Sequence, residues 1–144
     1  MTNYIKFEFP SLSANEAFAR NAVACFAAQL DPTLDEIGDI KTAVSEAVTN
    51  CIVHAYPEDI GKVFVRCRFL ADAALEIVVR DTGVGIADIA KAREPLYTTG
   101  GDERSGMGFS MMEGFTDYLR VTSKPGRGTT VTLRKKIGGR QRVR

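Results

Sequence analysis

A turn containing two glycines follows directly after an alternating apolar segment in the middle of the chain. The segment is Leu75–Val79, and the turn reads DTGVGI at residues 81–86. The period-two pattern predicts a β-strand that ends near Asp81. Gly83 and Gly85 let the backbone approach a flat ligand closely, because neither carries a Cβ atom. An Asp at this place can accept a hydrogen bond from the exocyclic amino group of adenine, although D-x-G-x-G turns also occur by chance.

A pair of polar residues precedes this turn on a predicted helix. Glu46 and Asn50 are four residues apart and therefore share one helix face. The amide oxygen of Asn50 suits Mg²⁺, which prefers oxygen ligands. Glu46 can orient or deprotonate a nucleophile at a γ-phosphate. Taken alone, such a pair is more often simply the polar face of an amphipathic helix.

Glycines also precede a short helix predicted to begin near residue 108. Backbone N–H groups at Gly106 and Gly108 could face phosphate oxygens there. The segment before them, residues 87–107, is long and rich in charge, Gly and Thr, which is typical of a lid over a ligand. Taken alone, it is equally consistent with a flexible connection. Thr130 would bring a hydroxyl near the adenine end of such a site, or be an ordinary strand threonine.

Hydrophobic periodicity and capping patterns predict an α+β fold. Capping boxes from Ser13 to Glu16 and from Thr33 to Glu36 predict two helix starts. The predicted strands are residues 4–9, 62–70, 75–80, 118–123 and 129–137, and the predicted helices are residues 13–30, 34–55 and a short one from 108. The first helix is expected to bury Phe18, Ala22, Cys25, Phe26 and Leu30. This order predicts helices layered on one face of a mostly antiparallel sheet.

Composition and charge exclude several classes of protein. A chain of 144 residues fits a single domain, predicted as residues 1–137. No apolar run approaches the roughly 20 residues needed to cross a bilayer, and the N-terminus lacks a signal pattern. We therefore expect a cytoplasmic protein with no membrane partner. Six of the 19 basic residues lie between 134 and 144, so the rest of the chain is net acidic and a poor binder of nucleic acid. Residues 138–144 are expected to form a disordered basic tail.

The cysteines give no sign of a disulfide framework or a zinc site. Cys25, Cys51 and Cys67 are far apart, and each falls in a predicted helix or strand. We expect all three to be buried, reduced thiols. His54 is the only histidine, so a zinc site of the usual His and Cys ligands is not expected.

Four motifs follow one another in the order E-x-x-x-N, D-x-G-x-G, G-x-G and G-T-T. This order resembles the GHKL superfamily of ATPases, which includes gyrase-type, chaperone, MutL-type and histidine-kinase ATP domains, over about residues 35–137. The resemblance implies the Bergerat ATP-binding fold, with helices on one face of a mostly antiparallel mixed sheet. It also implies ATP or ADP as the nucleotide and Mg²⁺ as a cofactor.

The resemblance assigns a role to each matching residue. Glu46 would be the catalytic base, Asn50 would bind Mg²⁺, and Asp81 would bind adenine with Gly83 and Gly85 beside the ring. The residues implied near the nucleotide's phosphates are Thr98, Thr99, Arg104, Ser105, Gly106 and Gly108. Thr130 would help to hold adenine.

Longer segments narrow the resemblance to the bacterial anti-sigma serine kinases. Residues 46–56, 81–86, 94–99 and 104–112 look most similar to the sporulation members, with the stress-response (anti-sigma B) kinases as near relatives. The other superfamily members need further domains, and His54 is poorly placed to be a phosphoacceptor. The resemblance implies a homodimer that captures a sporulation sigma factor of the sigma F type. It also implies phosphorylation of a serine on an anti-anti-sigma factor, and no direct contact with nucleic acid.

Two other functions stay open from sequence. The chain could be an ATPase or kinase that acts on another protein, or a nucleotide-gated binding module that transfers no phosphate. Arg20, on the first helix among small residues, could anchor a protein partner. The alternative for Arg20 is an ordinary solvated helix charge.

Overall fold

The computed structural model describes residues 3–85, 112, 114 and 116–138. The elements are β1 (Tyr4–Pro10), α1 (Ala14–Ala27), α2 (Leu34–Asn50), β2 (Lys62–Leu70), β3 (Ala74–Asp81), β4 (Tyr118–Lys124) and β5 (Gly128–Lys136). Short 3₁₀ turns follow α1 and β2, and a π turn, Cys51–Ala55, extends α2. The strands and both long helices lie close to their predicted bounds. The predicted lid and the tail after residue 138 fall outside the described residues.

The five strands form one sheet in the order β1-β2-β3-β5-β4. Each neighbouring pair is antiparallel, which confirms the predicted α+β fold with a mostly antiparallel sheet. The β4–β5 hairpin turns back so that β5, rather than β4, pairs with β3. This order places the end of β3 next to the start of β5 at the centre of the sheet.

The hydrophobic core lies between the two helices and one face of the sheet. Alternate residues of the central strands are buried on that face, as their period-two pattern requires. The largest fully buried side chains include Ile40, Val44 and Val48 of α2, Leu75, Ile77 and Val79 of β3, and Leu133 of β5. Met112 is also fully buried and helical, and it lies in the short third helix that the sequence predicts from residue 108.

The first helix begins differently from the prediction. Ser13 has helical backbone angles, and its side chain makes no capping hydrogen bond. The carboxylate of Glu16, which a capping box would direct back to Ser13, instead accepts from Arg20 Nη1 at 2.8 Å with each oxygen. The predicted capping box is therefore wrong, because the ion pair one turn along the helix takes the Glu16 side chain.

The buried face of α1 is also rotated by about one residue from the predicted face. The buried residues are Ala19, Val23, Ala24, Phe26 and Ala27, whereas Phe18 is 60% exposed and Cys25 is exposed. Small residues on this face allow α1 to pack closely beside α2. Phe18 lies outside that contact, edge-on to Phe7 of β1 at 5.7 Å between ring centroids. The predictions that Phe18 and Cys25 are buried are wrong for this reason.

The second helix begins and ends as its sequence predicts. The Thr33 hydroxyl accepts from the Glu36 amide at 3.1 Å, and the Glu36 carboxylate accepts from the Thr33 amide at 2.9 Å. This reciprocal pair is the predicted capping box. At the other end, the chain leaves helical geometry at Tyr56, before Pro57, because a residue preceding proline avoids the helical region.

The sheet face opposite the helices carries a central ion-pair cluster. Glu76 of β3 is only 3% exposed and binds Arg68 of β2 at 2.7 Å and Arg134 of β5 at 2.9 Å. Burial alone would raise the pKa of Glu76, but the hydrogen bonds and charges of the two arginines outweigh it and lower the pKa. The cluster therefore links the three central strands through one carboxylate. Within the described residues, no helix is both long enough and apolar enough to cross a membrane.

Candidate functional site

Asp81 is a buried carboxylate at the C-terminal end of β3. It is 5% exposed, and its Oδ1 atom accepts hydrogen bonds from the backbone amides of Gly83 at 3.0 Å and Thr129 at 3.2 Å. One amide belongs to the glycine turn and the other to the start of β5. A carboxylate held by backbone donors has a fixed orientation, so Asp81 can present its other oxygen to a ligand.

The glycine turn packs directly against the π turn that ends α2. The Val84 amide donates to the Ala55 carbonyl at 2.8 Å. A Cβ atom on Gly83 would overlap the same carbonyl oxygen. Only glycine fits between the two backbones, so Gly83 lets the end of the Asn50 helix and the Asp81 strand lie side by side.

The β4–β5 hairpin closes the other side of the turn. The Gly126 amide donates to the Val84 carbonyl at 2.7 Å. Gly85 and Gly128 have φ angles of +79° and +103°, and a Cβ atom on either would overlap the backbone of the facing segment. These glycines are required both by their positive φ and by close packing. The predicted adenine turn is therefore a rigid junction of three segments.

Tyr56 fastens this junction to β2. Its hydroxyl accepts from the Thr82 amide at 2.9 Å and donates to the Lys62 carbonyl at 2.6 Å. Sequence reasoning did not single out Tyr56 for this role. No local pattern shows it, because the three residues meet only when the sheet is assembled.

Glu46 and Asn50 lie on one face of α2 in its last turns, as their spacing predicts. Both residues are half-buried, and Asn50 immediately precedes the π turn that contacts the glycine turn. The Asn50 Nδ2 atom is buried and has no hydrogen-bond partner among the described residues. A buried amide atom of this kind is expected to meet a ligand or an ordered water.

The Asn50 side chain would fit as one ligand of a magnesium ion. Asn50 offers an amide oxygen, a suitable ligand for Mg²⁺. In the part of the chain that the structure describes, no group of three or more His, Cys, Asp and Glu could hold a metal without further ligands. Most ligands of such an ion would therefore be phosphate oxygens and water, as is usual for Mg²⁺.

The structure brings Thr129, rather than Thr130, to the Asp81 carboxylate. Thr129 donates its amide to Asp81, and its hydroxyl lies 2.8 Å from Ser123 Oγ. Thr130 pairs with Arg80 between β3 and β5. Because neighbouring residues of a strand point to opposite faces of the sheet, the side chains of Thr130 and Thr129 lie on opposite faces. Thr130 lines an open depression of about 270 Å³ at this end of the sheet. The sequence pattern G-T-T identified the strand and its start but not which threonine faces Asp81.

The remaining predicted site residues divide into two groups. The predicted phosphate-side residues lie outside the described residues: Thr98, Thr99, Arg104, Ser105, Gly106 and Gly108. Arg20 is described, and it lies on α1 with its side chain 36% exposed and paired to Glu16. The described part of the predicted site therefore comprises the Asp81 turn and the Glu46–Asn50 face.

Comparison with known proteins identifies the class to which this fold and site belong. Residues 9–135 match the model of the histidine kinase-like ATPase domain family. The match covers most of the chain and includes Glu46, Asn50 and the Asp81 turn. The chain therefore belongs to the histidine kinase-like ATPase family, which confirms the predicted superfamily and implies that the chain binds a nucleotide.

Named relatives place the chain more narrowly. It is 56% identical over 137 residues to a protein of Caldanaerobacter subterraneus subsp. tengcongensis, covering 94% of this chain and 95% of that one. It is 54% identical to a Pasteuria penetrans protein, covering 98% and 95% of the two chains. Both relatives are named anti-sigma F factor. The predicted resemblance is confirmed as similarity to proteins named anti-sigma F factor.

Solved structures support the fold alone. The blue-light activated histidine kinase of Erythrobacter litoralis EL346 matches with a TM-score of 0.62 and 23% identity, over 84% of this chain and 41% of that chain. The mycobacterial sensor histidine kinase MprB matches with a TM-score of 0.58 and 16% identity, over 94% and 97%.

Proposed function

We propose that this protein is an anti-sigma factor and an ATP-dependent protein serine kinase. It would sequester a sigma factor of the sigma F type and phosphorylate a serine of the anti-anti-sigma factor that competes for it. The observation that carries the nucleotide half is Asp81, a buried carboxylate oriented by two backbone amides in a glycine turn against the Asn50 helix. The anti-sigma half rests on relatives of that name that match nearly the full length of the chain.

Asp81 would select adenine through its carboxylate, as the resemblance implies. The amide donors on Oδ1 fix the side chain before any ligand arrives, so little ordering entropy is lost on binding. Gly83 and Gly85 are packed against the backbones of Ala55 and Lys124, so their part in the site would be to hold the Asp81 turn against the end of α2 and the β4–β5 hairpin. Mg²⁺, when bound, would neutralise phosphate charge beside Asn50.

Glu46 would act on the protein substrate. It lies one helical turn before Asn50 on the same face of α2, with Oε2 buried. A carboxylate beside the metal-binding amide can accept the proton of an attacking serine hydroxyl. Phosphoryl transfer needs little covalent chemistry from the protein beyond this base, positioning and charge neutralisation.

The protein partners would contact the surface around α1. Phe18 is 60% exposed, and β1 beside it is an edge strand of the sheet. An exposed aromatic next to an unpaired strand edge suits a protein interface, and we propose a homodimer through this region. Arg20 is held by Glu16 through one nitrogen, Nη1, which donates to both carboxylate oxygens, and this contact would orient Arg20 towards a partner. A cytoplasmic location follows from the proposed partners.

The test is transfer of label from γ-labelled ATP in the presence of Mg²⁺ and a candidate anti-anti-sigma protein. We expect phosphoserine on that protein, with the rate reduced at least 100-fold in Glu46→Gln, in keeping with the contribution of about 10²–10⁴-fold from general base catalysis. The matched control is Glu58→Gln, which removes an exposed loop carboxylate and should leave the rate unchanged. A parallel pull-down measures capture of the sigma factor.

The outcomes separate the alternatives. ATP binding and sigma capture without label on any protein would identify a nucleotide-gated binding module. Label without sigma capture would identify a kinase with other partners. Full activity in Glu46→Gln would remove Glu46 from the role of base. No ATP binding by the wild-type chain would contradict the whole proposal.

A further inference from the structure

The sheet face opposite the helices carries most of the positive charge of the five strands. Every strand pairing joins even-numbered to even-numbered residues, so the even-numbered side chains of all the strands share this face. We call it the basic face. Its basic residues are Lys6, Lys62, Arg66, Arg68, Arg80, Arg120, Lys124, Arg134 and Lys136, and its acidic residues are Glu8 and Glu76. These nine positive and two negative charges give the basic face +7, whereas the whole chain carries +1, so the rest of the chain carries −6.

Two arginines at the centre of the basic face are held in place by a buried carboxylate. Glu76 accepts from the Nε atom of Arg68 at 2.7 Å and from the Nε atom of Arg134 at 2.9 Å. The two arginine side chains are 48% and 44% exposed. Their terminal nitrogens make no hydrogen bond among the described residues. Because Glu76 fixes each guanidinium through Nε, the terminal donors stay available to an anion, and little ordering entropy is lost when one binds.

The distribution of tyrosine, arginine and lysine on the basic face matches that of a protein interface. One row across the sheet consists of Tyr4, Arg68, Glu76, Arg134 and Tyr118, and its two tyrosines are 52% and 38% exposed. Tyrosine and arginine are the residue types enriched at the energetic centre of protein interfaces. The lysines instead lie on the edge strand β1 or at the first or last residue of a strand, as in the solvated rim of an interface.

We propose that the basic face is a docking surface for an acidic protein partner, whose carboxylates bind the guanidinium groups of Arg68 and Arg134. Charge complementarity carries the assignment, because a face of this charge attracts an acidic surface and disfavours a basic one. The surface is separate from the region around α1, since the core places the helices on the other face of the sheet. The inference goes beyond the proposed function and does not depend on the nucleotide.

The aromatic rings favour a protein over a single-stranded nucleic acid as the partner. Proteins that bind single strands stack the bases on open aromatic faces. On the basic face, the guanidinium of Arg80 lies 4.1 Å from the ring centroid of Phe64, and that of Arg134 lies 4.6 Å from the ring centroid of Tyr118. One face of each ring is therefore already covered by a cation, and carboxylates can still reach these cations from the side.

The experiment measures binding of three anionic probes to the full chain by fluorescence anisotropy or co-sedimentation. The probes are a synthetic peptide of alternating Glu and Ser, a thymidine oligonucleotide of equal charge, and vesicles containing phosphatidylglycerol. We expect the peptide to bind, and to bind about threefold more weakly in Arg66→Gln and in Arg120→Gln, as is usual for the loss of one exposed charge pair. Both arginines are exposed and make no ion pair among the described residues, so neither change disturbs Glu76.

Two further variants separate the basic face from net charge. Lys41→Gln removes one positive charge from α2, on the helix side of the molecule, and should leave peptide binding within about 1.5-fold of wild type. Arg134→Lys keeps the charge but removes the planar guanidinium. It should weaken peptide binding about threefold while leaving the salt dependence of binding unchanged, a result that a purely electrostatic film of charge would not give.

Three results would overturn the inference. No binding of the peptide by the wild-type chain would remove the docking surface. Equal weakening in Arg66→Gln, Arg120→Gln and Lys41→Gln would show that binding follows net charge and not this face. Tighter binding of the oligonucleotide than of the peptide, or binding of the vesicles alone, would identify a nucleic-acid or membrane surface in place of a protein one.

Discussion

The hydroxyl of Tyr56 accepts a hydrogen bond from the backbone amide of Thr82 at 2.9 Å. The same hydroxyl donates to the carbonyl of Lys62 at 2.6 Å. One side chain thus connects the end of α2, the first residue of β2 and the turn that carries the D-x-G-x-G motif. The shape of that turn depends on a contact that lies outside the motif.

Replacing Tyr56 with Phe tests this connection. The ring is retained and the hydroxyl is lost, so the Thr82 amide and the Lys62 carbonyl lose a protein partner. We expect a loss of about 1 kcal/mol in the free energy of unfolding and ATP binding weakened several-fold. Chemical denaturation and equilibrium binding measure the two effects. Wild-type affinity in a stably folded Tyr56→Phe variant would show that the turn holds its shape without Tyr56.

Gly83 and Gly38 form a matched pair of glycine positions. A Cβ atom at Gly83 would overlap the Ala55 carbonyl, whereas one at Gly38, in α2, meets nothing within 4 Å. We expect Gly83→Ala to destabilise the fold and abolish ATP binding, because the π turn and the glycine turn must separate. Gly38→Ala should stabilise the protein by about 0.5–1 kcal/mol, since alanine is the better helix former. Thermal unfolding of both variants gives the comparison, and stabilisation by Gly83→Ala would contradict the packing described.

The Glu76 cluster predicts an acid-dependent loss of stability. Its arginine partners lower the pKa of Glu76 in the folded protein below the unfolded value of 4.5. Its contribution is therefore fully present above the unfolded pKa and is lost as the pH falls through the folded pKa. Glu76→Gln should cost about 2 kcal/mol at pH 7, and the difference from wild type should shrink in acid. Urea unfolding at several pH values measures it, and a constant difference across that range would assign the effect to packing alone.

The cysteines should differ in reactivity towards a thiol reagent. Cys25 is exposed, whereas Cys51 and Cys67 are buried. Burial raises the pKa of Cys67 to about 12 and also raises that of Cys51, so neither forms the reactive thiolate near neutral pH. We expect one fast equivalent in the native protein and three after denaturation. A Cys25→Ser variant serves as the control and should show no fast equivalent, and two fast equivalents in wild type would contradict the burial of the others.

The errors in predicting α1 have a single physical origin. Phe18 and Cys25 fit one helical stripe, and Val23 with the alanines near it fits another. Periodicity alone does not identify which of these two stripes is buried, because α1 is rich in small residues. Contact with α2 and the sheet selects the face with the smaller side chains. The Glu16 carboxylate likewise had two possible partners nearby, the Ser13 backbone and the Arg20 side chain. In the folded helix it binds Arg20.

The sequence by itself determined the features that depend on neighbours along the chain. Alternation defined the strands, Thr33 and Glu36 defined the start of α2, and the motif order identified the nucleotide-binding family. Only the tertiary structure decided which distant groups meet at Asp81 and the turn that follows it. Thr129 reaches Asp81 because β5 pairs with β3, and Tyr56 reaches Thr82 because the end of α2 packs against the turn. These contacts depend on how distant parts of the chain are arranged, so no local sequence pattern predicts them.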